Sequence, residues 1–161
     1  MKELNINKKY LKYAGLLVVL LLCVIVVDHL VDKDSKDAGQ AAENGIAGLF
    51  DIDFRQDIAG QLPPCTETGK EFWTLHLATI ANATRTNGRT VQNARAVVNG
   101  KPESYQGMGG EGQIVPVQIT ITTQDKNGNA ETATSAVRVL MIKGENGQWL
   151  LDGLAVELPG Q

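Results

Sequence analysis

Val115-Pro116-Val117-Gln118-Ile119-Thr120-Ile121-Thr122 decides the class of this chain: Val115, Val117, Ile119 and Ile121 alternate strictly with Pro116, Gln118, Thr120 and Thr122. Successive side chains of a strand point to opposite faces, so this pattern predicts a β-strand with one buried face. Immediately downstream, Asp125-Lys126-Asn127-Gly128-Asn129 holds the Asn-Gly signal of a tight hairpin. The partner stretch, Glu131 to Lys143, turns continuously apolar over Val137 to Ile142 apart from Arg138, which places it centrally in a sheet. A second Asn-Gly turn, Asn146-Gly147, leads into Gln148-Trp149-Leu150-Leu151-Asp152-Gly153-Leu154-Ala155-Val156. The chain thus closes as a three-stranded antiparallel meander.

Upstream, Val91 to Val98 predicts a fourth strand, closed by Asn99-Gly100 and Pro102. Tyr105-Gln106-Gly107-Met108-Gly109-Gly110-Glu111-Gly112 then reads as a glycine-rich loop between strands. It precedes a strand, whereas phosphate-binding loops follow a strand and open a helix. Before the sheet the period becomes helical. Lys70 to Arg85 predicts a helix with Phe72, Trp73, Leu77, Ile80 and Ala83 on its apolar face, ended by Asn87-Gly88. Thr66 or Thr68 can cap it, and Glu71 stands three past Thr68 as in a capping box. Ile46, Leu49, Phe50, Phe54 and Ile58 predict a shorter amphipathic helix, stopped by Gly60 and Pro63-Pro64. The expected fold is α+β, with a curved antiparallel sheet of about four strands packed on one long helix.

The N-terminal end has another character. Tyr13 to Val27 is a run of fifteen apolar residues, with Lys8, Lys9 and Lys12 before it and Asp28, Asp32, Asp34 and Asp37 after it. Extended from about Tyr10 to Val31, it supplies the ~20 residues needed to cross a ~30 Å hydrocarbon layer. Bulky, charged Val26-Val27-Asp28-His29-Leu30 follows instead of the small residues of a cleavage site, so the run reads as an uncleaved anchor. Residues 1–13 carry +3, which keeps that end cytoplasmic, while residues 28–43 carry −3. The expected organisation is a basic tail over 1–12, a transmembrane helix over 13–31 and a tether over 32–45. A globular domain over 46–161 follows, outside the membrane. The tether's composition suits a solvated linker or a helical continuation of the anchor.

Chemistry is sparse. The formal net charge is −3 and there is no basic stripe, which argues against nucleic acid as a ligand. His29 and His76 are the two histidines, and Cys23 and Cys65 the two cysteines. They form no metal set, and no catalytic or cofactor-binding residue can be named from spacing. His29 falls at the expected membrane edge, and His76 falls between Phe72 and Ile80 on the helix's apolar face, either half-buried beneath the sheet or open into the mouth of the fold. Cys65 is left alone, as a partly buried, inert thiol or a cross-link to a partner or to a second copy.

The anchor, the helix and the closing strand Gly147-Gln148-Trp149-Leu150-Leu151-Asp152-Gly153-Leu154 resemble the nuclear-transport-factor-two-like and cystatin-like cone folds. In that superfamily a tryptophan often stands two residues after the last turn. The resemblance covers about Thr66 to Glu157. In architecture the chain is similar to the bitopic scaffold subunit of bacterial type IV secretion and conjugation machines. It implies a periplasmic or extracellular domain on a single-pass inner-membrane anchor, with other envelope proteins or further copies of itself as partners. A cone could instead bind a small hydrophobic ligand near Trp73, His76 and Trp149, and Tyr105 and Met108 would make an exposed docking tip. For a cone-type enzyme, Asp152, Glu131 and Tyr105 are the candidate acid–base groups.

Overall fold

The alternation around Val117 produces the longest-paired strand of the molecule. A computed structural model describes residues 8–53, 57–107 and 110–155, side chains of 8–19, 21, 22, 24, 25, 81–87 and 107 excepted. Its strands are β1 (Thr90–Val98), β2 (Glu103–Gly107), β3 (Gly110–Gln124), β4 (Ala130–Lys143) and β5 (Trp149–Leu154). All pair antiparallel in one sheet of order β1-β3-β4-β5, with β2 also on β3. Val115 and Val117 lie opposite Val139 and Val137, so apolar residues of both strands share one face. Both predicted hairpins form. The Asp125 carboxylate accepts from the backbone N–H groups of Asn127 and Asn129, at 2.8 Å each, and Gly128 takes φ +84°. At the second turn Gly147 takes φ +77°.

The sheet has five strands where the sequence pattern suggests four. Tyr105 to Gly107 and Gly110 to Gly112 are not a loop but a hairpin, with Tyr105 opposite Gly112. A Cβ at Gly112 would stand 2.5 Å from the Met141 carbonyl oxygen and 2.8 Å from Ile142 Cδ1. That glycine serves close packing within a strand, not loop freedom. β2 occupies the edge of β3 over Gly110 to Ile114, and β1 occupies the same edge over Val117 to Gln124.

Two α-helices are described, α1 (Lys8–Leu49) and α2 (Glu67–Asn87), with a short 3-10 turn at Ala59–Gln61. The chain divides into two compact units, residues 1–34 and 35–161. The separate helix expected over 46–58 does not form. Ile46 and Leu49 end α1, Ile52 follows in a bent segment, and Phe54 lies outside the described residues. The stretch 32–45 is helical, and from Ser35 it belongs to the folded unit. Ala38, Ala42, Ile46 and Leu49 form a buried stripe on that part of α1. Gly45 allows the close approach, since a Cβ there would meet Leu151 Cδ1 at 2.7 Å. The sheet therefore packs on two helices rather than on the single one expected, α2 contributing Trp73 and Leu77.

α2 begins three residues before its predicted start. Thr66 is the cap, its hydroxyl accepting from Gly69 N–H at 2.9 Å, so Thr68 and Glu71 make no capping box. Most side chains of the expected anchor, 13–31, lie outside the described residues. Among the described residues no helix is long and apolar enough to cross a membrane. Leu20, Val26, Val27, Leu30 and Val31 are all exposed.

Candidate interaction surface

The residues singled out from sequence do not converge. Trp73 is buried in the core with its Nε1 lacking a hydrogen-bond partner. His76 is exposed rather than half-buried, because the buried side of α2 centres on Trp73 and Leu77, one position away. Its ring stacks on Phe72 at 4.0 Å, and Nδ1 lies 2.9 Å from the Phe72 carbonyl oxygen, to which it can donate. Trp149 is part-buried against the core beneath the Lys143 ammonium, 5.5 Å from the ring centre. Tyr105 is half-buried beside Gly112, and Met108 lies outside the described residues. His29 is exposed on α1.

The candidate acid–base groups are engaged in structural contacts. The Thr66 hydroxyl donates to Asp152 Oδ1, tying the α2 cap to β5. Glu131 pairs with Arg89, and Tyr105 bears on neither. Cys65 lies beside that joint, where burial pushes its thiol up to about 11, against a downward pull from Lys70 and with a further push from Asp152. Among the described residues no group of three or more His, Cys, Asp and Glu could hold a metal.

Backbone groups at the sheet edges are more informative. On the β5 side, Leu151 N–H donates to the Pro64 carbonyl and its own carbonyl accepts from Thr66 N–H, both at 3.0 Å. That short parallel bridge at Cys65 covers the edge. On the β1 side the phase of the ladder is set by Asn99 N–H donating to the Pro116 carbonyl at 2.9 Å. Hydrogen-bonded and non-bonded pairs alternate along an antiparallel ladder, so Asn93, Arg95 and Val97 bond β3. The N–H and C=O groups of Ala94, Ala96 and Val98 therefore point away from the sheet. One of these is taken: Val98 N–H donates to the Glu43 carboxylate of α1 at 2.6 Å.

No family model matches this chain, and no curated protein matches it significantly.

Two hollows lie on the surface of the described residues. One of about 460 Å³ lies among Asn99, Pro116, Ala136, Arg138 and Leu154, where the Arg138 guanidinium donates to Glu103 at 2.6 Å. The other, about 500 Å³ and almost wholly apolar, runs along α2 by Thr74, Leu75 and Ala78 to Ala59. Neither is lined by Trp73, His76 or Trp149. Sequence reasoning missed Glu43 and the open side of β1. Strand order is set by pairing between distant segments, and no local pattern marks which strand ends at an edge.

Proposed function

We propose that this protein is a non-enzymatic, single-pass membrane adaptor of a bacterial envelope assembly, of secretion or conjugation type. The apolar run 13–31 is its anchor, the lysine-rich end lies in the cytoplasm, and the folded unit stands outside the inner membrane. The cone-fold resemblance belongs to this reading. Its domain would be a small relative of those that build such machines around a membrane pore.

The observation that supports it best is the unequal treatment of the two sides of the sheet. One side is closed by Pro64 to Thr66, while the other leaves backbone donors and acceptors of Ala94 and Ala96 without a partner among the described residues, open to a neighbour. Confinement to a membrane raises the effective concentration of such a surface for other anchored proteins, so weak docking suffices. The hydrophobic-ligand reading lacks this kind of support. Trp73 sits in the packed core and His76 faces solvent, and neither of the two hollows above is lined by them or by Trp149.

The test is gentle detergent extraction of native membranes, followed by size separation and mass spectrometry. Reproducible co-migration with other envelope proteins in a large particle is the expected result. A lone small species would overturn the adaptor reading.

A further inference from the structure

We infer that β1 is a docking edge for an extended segment of a different protein, one carrying a carboxylate opposite Arg95. This deepens the adaptor reading and rests on it for the source of that segment. Only Ala94 and Ala96 present both N–H and C=O to the open side within the regular part of β1. A strand paired there would make four backbone hydrogen bonds, and the side chain facing the residue between them would meet Arg95. Arg95 is exposed on the sheet face away from Val117 and has no ion pair among the described residues. Ala94 and Ala96 are half-buried on the helix-packed face, so apolar side chains flanking the carboxylate would extend that face.

A second copy of this chain fits the same edge badly in every register. Centred on Arg95, self-pairing uses all four open groups but sets Arg95 against its own twin, and like charges directly opposite are unfavourable. Centred on Ala96, the partner strand runs past Val98, where the Glu43 side chain already occupies the edge. Centred on Ala94, it runs into the irregularity between Val91 and Asn93, which places Gln92 out of register. Each obstacle acts on self-pairing more than on a short foreign strand. Together they let the edge stay open without sticking to itself.

The experiment uses the full chain in detergent with two capped, soluble peptides, one with glutamate between two valines and one with lysine in its place. Binding is followed by fluorescence anisotropy, and the site by hydrogen exchange of the Ala94 and Ala96 amides. The glutamate peptide is expected to bind between about twofold and thirtyfold more tightly, the span of a swapped cross-strand charge. It should slow exchange at both amides, and Arg95→Glu should invert the preference. No saturable binding, equal binding of both peptides, or protection elsewhere would overturn the inference. So would concentration-dependent self-association that protects the same amides, since the occupant would then be a second copy. The peptide result can fail while co-migration on native membranes succeeds, so the two readings fail separately.

Discussion

The joint between the start of α2 and β5 concentrates the molecule's most exacting single-residue demands. Thr66 caps α2 through Gly69 N–H and donates to Asp152 on β5. Thr66→Ala should cost about 1–2 kcal/mol in urea unfolding, and Thr66→Ser should recover most of it. A Cβ at Gly69 would collide with the Leu151 carbonyl oxygen, which is backbone and cannot yield. Cys65 reports on the same joint by its chemistry. With its thiol near 11 against an ordinary 9.0, its thiolate fraction at pH 8 is about 100-fold lower than that of a free cysteine. Alkylation by iodoacetamide at pH 8 should be slower by a similar factor. Because the folded state favours the protonated thiol, this preference is fully present below pH 9 and is lost as pH rises toward 11. A free-thiol rate in the folded protein would mean that Pro64 to Thr66 does not lie against β5.

Among the elements, β1 owes its open state to a carboxylate on another element. Glu43→Ala should remove a charged hydrogen bond worth about 1.5–3 kcal/mol and release Val98 N–H, permitting the self-pairing register centred on Ala96. Sedimentation velocity should then show a concentration-dependent dimer that Glu43→Gln, which keeps the acceptor oxygen, does not form. The β3–β4 turn makes a pH-dependent counterpart. The Asn129 side-chain amide, then backbone N–H groups of Asn129 and Asn127, hold the Asp125 carboxyl below its ordinary 3.8. Its contribution is complete above that value and disappears as pH falls through the folded one, so the Asn127 and Asn129 amide shifts should move only in that acid range. Asp125→Asn should abolish the movement. What could be read in the sequence follows the same physics. β3 and both Asn-Gly hairpins were legible because an alternating face and a positive-φ glycine are local signals. β2 was not, since Gly110 and Gly112 resemble loop residues until Ile142 and Met141 pack over the latter. The end of α1 was hidden because Ala38 and Ala42 bury well without raising hydropathy amid Asp34, Lys36 and Asp37.

For the whole molecule, the decisive question is where the folded unit begins. Composition places the boundary between 45 and 46, after a charged, alanine- and glycine-rich stretch. The packing places it at Ser35, and among the described residues no core residue precedes Ala38. Two truncations separate these boundaries. A chain starting at Ser35 retains Ala38, Ala42 and Glu43, hence the stripe that closes the sheet and the bond to Val98. It should unfold cooperatively with a midpoint close to that of the full chain. A chain starting at Ile46 removes Ala38 and Ala42 from the buried cluster they share with Val115, Val117 and Leu151, and leaves Val98 N–H without Glu43. The lost hydrogen bond alone is worth about 1.5–3 kcal/mol, and the uncovered apolar area adds to it. Such a loss takes a large share of the 5–15 kcal/mol typical of a domain, so the shorter chain should melt early or aggregate. Equal midpoints for the two truncations, measured by circular dichroism, would show that residues 35–45 are a linker after all. The same Ser35 chain addresses the anchor, because it lacks 13–31 and should be released from membranes by alkaline carbonate, while the full chain stays in the pellet.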